Sequence, residues 1–184
     1  MRIIAGSRKG MKLHAPPGLA VRPTSDKLRG AVMSMLGGSL SGERVLDVCA
    51  GTGAVSLEWL SRGASRAVAI EQDPTALATL RGNARHLRLE GQLTVQSGEA
   101  LAELARLAEL GERFELVYVD PPYDSPLYAP ILALLPSLLA PGAEVFVESR
   151  AGLPPALATG WETLARRRYG GGWLDRLRRS EAGS

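Results

Sequence analysis

The sequence predicts an α/β fold: a doubly wound, mostly parallel sheet with helices on both faces, an antiparallel C-terminal hairpin and a small N-terminal hairpin-plus-helix extension. Three observations predict it. Short apolar runs alternate with longer amphipathic stretches between residues 44 and 147. The stretches between runs are long enough to cross over between parallel strands. Glycine-punctuated pairs of short runs stand at both ends of the chain, the pattern of hairpins.

In chain order, Ile3-Ile4 and Met11-Lys-Leu13 flank Gly6 and Gly10 in a basic stretch that reads as a small hairpin. Thr24-Ser-Asp caps a helix from about Lys27 to Leu36, stopped by Gly37-Gly38. Arg44-Val-Leu-Asp-Val48 reads as a buried strand ended by Ala50-Gly-Thr-Gly53, and Val55 to Leu60 continues as a helix. Ala67-Val-Ala-Ile70 is a second strand; Asp73-Pro74 then supplies an N-cap and an N1 proline for a helix reaching about Leu89. Leu93-Thr-Val95 is a third strand, followed by a helix from Glu99 to Leu110. Phe114 to Val119 is the fourth strand, leading into Asp120-Pro-Pro-Tyr123. A helix from about Leu127 to Leu139 and a strand at Glu144-Val-Phe-Val147 complete the series. Trp161 to Tyr169 and Trp173 to Leu177 flank Gly170-Gly-Gly172 as a closing hairpin, and Ser180 to Ser184 read as disordered. The expected organisation is a basic extension over 1–38 and a main domain over 39–184.

A chain of 184 residues buries roughly 70% of the surface its unfolded form exposes, enough for one core. With 45% hydrophobic and 22% charged residues, the composition is that of a globular protein rather than a disordered one. No apolar run approaches the roughly 18 residues of a membrane helix, and the start MRIIAGSRKGMKL lacks a signal peptide's apolar stretch. A cytoplasmic protein is expected. One cysteine, Cys49, excludes an internal disulfide, and with two histidines it cannot furnish an ordinary structural zinc site, so no metal is expected.

Net charge is only +3, but it is unevenly spread. Residues 1–29 hold seven basic side chains (Arg2, Arg8, Lys9, Lys12, Arg22, Lys27, Arg29) against Asp26. Residues 166–184 hold six arginines against Asp175 and Glu181, and residues 30–165 hold nine bases against sixteen acids. The ends are either solvated tails or a surface for a polyanion assembled from both termini.

Four segments carry chemistry. The glycines of Asp47-Val-Cys-Ala-Gly51-Thr-Gly53 follow the first strand, where open α/β sheets bind ligands. A dinucleotide fingerprint would want a third glycine near Ser56, which is absent. Asp47 is a carboxylate that can meet an ammonium, which suits the methionine end of S-adenosylmethionine better than a pyrophosphate; alternatively it caps the following turn. Glu71 ends the second strand, where a carboxylate can accept both hydroxyls of a ribose. Glu99 is placed to border an adenine, or else simply favours the start of a helix capped by Ser97. In Asp120-Pro121-Pro122-Tyr123 the two prolines hold the backbone rigid and leave the Pro121 carbonyl outside any ladder. Asp120 and that carbonyl present two acceptors to an exocyclic amine, and Tyr123 offers a face on which a base can stack, worth roughly 1–3 kcal/mol.

Asp47 to Gly53 together with Asp120-Pro-Pro-Tyr123 resembles the amino-methyltransferase class of Rossmann-like, S-adenosylmethionine-dependent enzymes. Arg2-Ile-Ile-Ala-Gly6, Arg8-Lys-Gly-Met-Lys-Leu13, Arg22-Pro-Thr-Ser-Asp-Lys-Leu-Arg29 and Tyr169-Gly-Gly-Gly-Trp173 further resemble the RsmD family, bacterial enzymes that methylate the N2 amine of a guanine in 16S ribosomal RNA. The resemblance spans nearly the whole chain. It implies a Rossmann-like methyltransferase sheet and S-adenosyl-L-methionine as cofactor. The implied substrate is 16S rRNA within the small ribosomal subunit or an assembly intermediate, met by a monomer. Asp120, Pro121, Pro122 and Tyr123 would be the catalytic segment. Asp47, Cys49, Gly51, Gly53, Glu71, Gln72, Glu99 and Ala100 would bind the cofactor, and Arg2, Arg8, Lys9, Lys12, Arg22 and Arg29 the RNA. Thr24 and Arg29 match family positions near the active site. Two positions depart from the family: Cys49 stands where an aromatic is usual, and Gly30 where a glutamate commonly follows the arginine. Cys49 reads as a small buried filler, because amine methylation needs no enzyme nucleophile.

These readings give direct transfer, in which the protein aligns the guanine N2 with an activated methyl and excludes water. Three alternatives stay open at this point. A DNA adenine-N6 methyltransferase shares the catalytic segment. An NAD-dependent oxidoreductase shares Glu71 and the glycine loop but leaves Asp120-Pro-Pro-Tyr123 unused. A non-catalytic RNA-binding or ribosome assembly protein would need only the basic ends.

Overall fold

A computed structural model describes residues 1–16, 26–122, 125–150, 152, 159–169 and 172–180. Among the described residues, five helices, α1 (Asp26–Met35), α2 (Ala54–Ser61), α3 (Pro74–Leu87), α4 (Ala100–Glu109) and α5 (Tyr128–Leu134), surround seven strands. The strands are β1 (Arg44–Val48), β2 (Arg66–Glu71), β3 (Leu93–Ser97), β4 (Phe114–Val119), β5 (Leu139–Ser149), β6 (Trp161–Tyr169) and β7 (Gly172–Arg179). The sheet order is β3-β2-β1-β4-β5-β7-β6. Strands β1 to β5 pair in parallel, and β7 joins β5 and β6 antiparallel. The predicted mixed sheet, with its C-terminal hairpin, is therefore present. The order reverses at β1, and the adjoining carboxyl ends of β1 and β4 form the crevice where such sheets take ligands.

Two apolar layers cover the sheet. On one face, Leu57, Trp59 and Leu60 of α2 and Leu80, Ala84 and Leu87 of α3 pack with Tyr118 and Phe146; Ile3, Leu13, Leu28 and Val32 join the same cluster. On the other, Leu104 and Leu107 of α4 and Ile131 and Leu132 of α5 pack on Val117, Val145 and Val147. The central strands are buried on both sides, which is why they read as continuous apolar runs rather than alternating ones. Among the described residues no helix is long and apolar enough to cross a membrane.

The small N-terminal hairpin pairs Arg2 with Lys12 antiparallel, with Ile3 N donating to Met11 O at 3.0 Å and Leu13 N to Met1 O at 3.1 Å. Its loop is also pinned to α2: Ile4 and Ala5 backbone N–H groups donate to the Glu58 carboxylate at 2.8 and 3.2 Å, and Ser7 N donates to Ser61 O at 2.7 Å. Helix and strand ends shift where backbone chemistry intervenes. Helix α3 stops at Leu87 because Arg88 adopts a left-handed conformation with φ 55°. The helix expected to reach Leu139 ends at Leu134 and tightens into a 3-10 turn at Leu135–Leu138 containing Pro136, a residue with no N–H to continue the ladder. Strand β5 starts at Leu139, five residues earlier than predicted, and its pairing with β4 is irregular between Phe114 and Leu116. Ser97 ends β3, and Glu99 takes the N-cap of α4 with no side-chain cap bond. The expected Thr24 cap and the Gly170-Gly171 part of the final turn lie outside the described residues.

Candidate active site

The carboxyl ends of β1, β2, β4 and β5 and the start of α4 enclose a cavity of about 620 Å³, well within the size range of small-ligand sites. Asp47, Cys49 and Gly51 line it from β1, Glu71 and Gln72 from β2, and Glu99 and Ala100 from α4. Asp120, Pro121 and Pro122 line it from β4. Residues scattered over 75 positions of sequence, from Asp47 to Pro122, thus meet in one pocket.

Asp47 is 1% exposed. Its Oδ2 accepts hydrogen bonds from the Ser56 backbone N–H at 3.0 Å and the Ser56 hydroxyl at 2.5 Å. Burial pushes its carboxyl up to about 6, against the pull of the two Ser56 bonds; Glu71 adds a smaller push in the same direction. One Asp47 oxygen caps the turn into α2, and the residue also lines the cavity.

Glu71 organises the loops around it. Its Oε2 accepts from Gly51 N at 2.7 Å, and its Oε1 accepts from Gln72 N at 2.8 Å and Asp73 N at 2.9 Å. Three backbone donors fix this carboxylate at the rim, and the four lone-pair sites of a carboxylate leave it capacity for a further donor. Gly51 adopts φ 55°, and a Cβ placed there would meet nothing within 4 Å, so the loop keeps open space on its cavity side.

Gly53 behaves differently from expectation. It does not line the cavity; a Cβ there would lie 2.9 Å from Leu80 Cγ. Its lack of a side chain brings α2 and α3 together, which places it in helix packing rather than in ligand contact.

Cys49 lines the cavity with a left-handed backbone, φ 65°. Burial, with the charges of Glu71, Asp120 and Asp47 behind it, pushes the thiol up to about 12. It stays protonated and is a poor nucleophile, as the sequence indicates.

Asp120 is anchored by its own N–H, which donates to Val48 O at 3.2 Å. The β4 strand end is thereby tied to the β1 strand end that starts the glycine loop. Tyr123 lies outside the described residues.

The buried Glu148 and Asn83 escaped the sequence reading. Glu148 of β5, 3% exposed, lines the cavity and accepts from the Tyr118 hydroxyl at 3.0 Å. Its signal was a charged residue ending an otherwise apolar strand, which resembles an ordinary solvated strand end. Asn83, fully buried in α3, donates to Thr52 O in the glycine loop and to His14 O, both at 3.1 Å. Nothing in the sequence links position 83 to position 14.

The basic residues separate. Arg2, Lys9 and Lys12 are exposed. Arg8 donates from Nε to Leu87 O at 2.6 Å. Leu87 ends the 14-residue helix α3, whose start adjoins the cavity, so Arg8 is about 20 Å along the helix from it. Arg29 is a correction: it is 2% exposed, donates from Nη2 to Arg2 O at 2.7 Å and lies 4.0 Å from Glu58. A side chain enclosed in this way holds the N-terminal segment against α2 and cannot reach a phosphate. Arg22 lies outside the described residues. At the other end, Arg176 makes a bidentate pair with Glu144 and Arg166 pairs with Asp175, so part of the C-terminal basic block is neutralised by acids. Arg168 pairs in register with Trp173, and Trp173 with Ser149 at the carboxyl end of β5. The paired ends of β6 and β7 at Arg168 and Trp173 therefore sit at the same end of the sheet as the cavity.

The sheet order, the glycine loop tied to Glu71 and the Asp120-Pro-Pro segment in one cavity define a Rossmann-like methyltransferase. The family model described as "Conserved hypothetical protein 95" matches residues 1–176, and the chain belongs to that family, the RsmD family of the sequence resemblance. It is 34% identical to the Ribosomal RNA small subunit methyltransferase D of Escherichia coli (strain K12), over 99% of this chain and 91% of that one. The Haemophilus influenzae protein of the same name is 27% identical over 92% of this chain and 89% of its own. Among solved structures, Escherichia coli yhhF, named as a methyltransferase, superposes with a TM-score of 0.84 at 34% identity, covering 97% of both chains.

Proposed function

We propose that the protein transfers a methyl group from S-adenosylmethionine to the exocyclic N2 amine of a guanine in 16S rRNA of the small ribosomal subunit. The observation that carries this reading is the convergence of Asp120-Pro121-Pro122, the glycine loop and Glu71 on one cavity. The family membership and the rRNA methyltransferase names of its relatives support it.

The residues present fit the cofactor. Gly51 leaves open space against the loop, Glu71 holds a carboxylate at the end of β2 for a ribose, and Asp47 is a buried carboxylate that a cation would favour. When bound, S-adenosylmethionine supplies an electrophilic methyl on a sulfonium. Asp47, Cys49, Gly51, Glu71, Gln72, Glu99 and Ala100 surround it in this reading. Asp120 and the Pro121 carbonyl accept the two hydrogens of the target amine and aim the nitrogen lone pair; Pro122 stiffens the turn, and Tyr123 stacks the base. Asp120 need not be a strong base, because the methylated amine is acidic and loses its proton afterwards. Alignment and water exclusion account for the acceleration.

RNA phosphates are held by Arg2, Lys9 and Lys12 on the N-terminal hairpin and by Arg167 and Arg168 beside the β6–β7 turn. The protein acts in the cytoplasm as a monomer. The test is transfer of labelled methyl to small subunits from cells lacking the enzyme, compared with duplex DNA. Label on an rRNA guanine N2 is expected; label on DNA adenine alone would overturn the reading.

A further inference from the structure

The cavity contains a carboxylate that the amine and cofactor contacts leave unused. Val119 of β4 stands opposite Val147 of β5 in parallel register. Asp120 and Glu148 follow these residues at adjacent strand ends, about 4.8 Å apart in the sheet direction. Strand alternation sends Tyr118 and Asp120 to one face, and Phe146 and Glu148 to the same face. Trp59 fixes that face by packing edge-on against both Tyr118 and Phe146. Asp120 and Glu148 both line the cavity.

Two tyrosines hold Glu148 among the described residues. The Tyr118 hydroxyl donates to its Oε2 at 3.0 Å, and the Tyr128 hydroxyl donates to its backbone carbonyl at 3.0 Å. Burial, reinforced by the charges of Glu148 and Asp120, holds the Tyr118 hydroxyl well above the ordinary phenol range, so it remains a donor. A carboxylate 3% exposed next to the apolar run Val145–Val147 of β5 costs desolvation that an apolar residue would avoid. Its place beside Asp120 supplies a reason. The ring edge next to a guanine N2 amine carries a second donor, N1–H. The ring edge next to an adenine N6 amine carries a lone pair at N1 instead.

We propose that Glu148 selects guanine, its carboxylate accepting the ring N1–H while Asp120 and the Pro121 carbonyl hold the neighbouring N2 amine. The proposal rests on the guanine reading above. A base with a lone pair at N1 meets an anion there, and a site built to accept a hydrogen bond discriminates strongly against a base that cannot donate it.

The experiment uses small subunits reconstituted with 16S rRNA carrying either guanine or 2-aminopurine at the nucleotide the wild-type protein labels. The analogue keeps the 2-amine but has a lone pair at N1. Wild-type protein should favour guanine in kcat/KM by on the order of a hundredfold. It should also bind the guanine subunit more tightly when S-adenosylhomocysteine replaces the methyl donor. Glu148→Gln, whose amide can donate to N1, should bring both ratios to within about tenfold while leaving S-adenosylhomocysteine affinity unchanged. Glu148→Asp should keep the preference for guanine. Equal use of both bases by wild-type protein overturns the proposal whether or not the variants fold. A Glu148→Gln protein that loses activity on both bases alike also overturns it, since that marks a purely structural carboxylate. If unmodified rRNA receives no label on guanine, the parent reading fails first, and this is seen before any analogue is used.

Discussion

His14 and Asn83 are joined by a reciprocal pair of hydrogen bonds: His14 N donates to Asn83 Oδ1 at 2.8 Å, and Asn83 Nδ2 donates to His14 O at 3.1 Å. The same amide nitrogen donates to Thr52 O. One buried side chain therefore ties the N-terminal segment to the loop that follows β1. Asn83→Ala leaves three backbone groups short of a partner and should cost about 2–4 kcal/mol, measured by urea unfolding. It should also weaken S-adenosylhomocysteine binding, because Thr52 borders the cavity. Asn83→Asp keeps the acceptor for His14 N but turns a buried oxygen onto the His14 and Thr52 carbonyls, so it should not recover the loss. A loss below about 0.5 kcal/mol for Asn83→Ala would mean the link has no structural weight.

Asp47 gives a prediction with a definite sign. Its carboxyl is raised from 3.8 to about 6 in the fold, so the folded protein binds this proton more tightly than the unfolded chain does. The stabilisation from protonating it is complete below the ordinary carboxylate value and is lost as pH rises through about 6. Asp47→Asn, which carries no charge and keeps an acceptor for Ser56, should stabilise the ligand-free protein by about 1–3 kcal/mol at pH 7.5. The advantage should vanish towards pH 4. Calorimetry should show the opposite effect on S-adenosylhomocysteine, whose ammonium loses its anionic partner: weaker binding by the variant, and weaker binding by wild-type protein below about pH 6. A variant that is less stable at pH 7.5 would contradict this account.

Much of the fold was legible because its signals are local. Apolar runs, the Asp73-Pro74 helix start and the glycine pairs act within a few residues, and they located every strand of the parallel sheet. The Asp120-Pro-Pro segment and the glycine loop were legible for the same reason: each is a short stretch whose chemistry needs those residues in that order. Arg29, Gly53, Glu148 and Asn83 were misread or missed because their roles depend on partners 29, 27, 30 and 69 positions away, namely Glu58, Leu80, Tyr118 and His14. A basic residue in a basic stretch gives no local sign that it is buried, and a glycine in a loop does not reveal whether a ligand or a helix approaches it.

Arginine roles separate in solution. Arg29→Ala removes the partner of Arg2 O and weakens the surroundings of the buried Glu58 carboxylate. Glu58 retains its ion pair with Arg62 at 2.6 Å, so the expected loss is about 2–4 kcal/mol in denaturant unfolding rather than complete unfolding. The salt dependence of RNA binding by the folded variant should match that of wild-type protein.

Arg167→Glu with Arg168→Glu should do the reverse. Both residues are exposed beside the β6–β7 turn. Removing the phosphate contacts proposed for them should lower RNA affinity and reduce the slope of log affinity against log salt by roughly 1–2, with unfolding unchanged within about 0.5 kcal/mol. An unaltered slope would remove this edge of the sheet from the RNA surface.

Whether Asp120 holds the reacting amine is measured by methyl transfer from labelled S-adenosylmethionine to small subunits from cells lacking the enzyme, by wild-type protein and by Asp120→Ala. Wild-type protein should label the N2 of a single 16S guanine. Asp120→Ala should lower turnover by about 10²-fold or more while S-adenosylhomocysteine affinity changes by less than about threefold. Turnover that survives in Asp120→Ala, or falls only in proportion to cofactor affinity, would contradict the account.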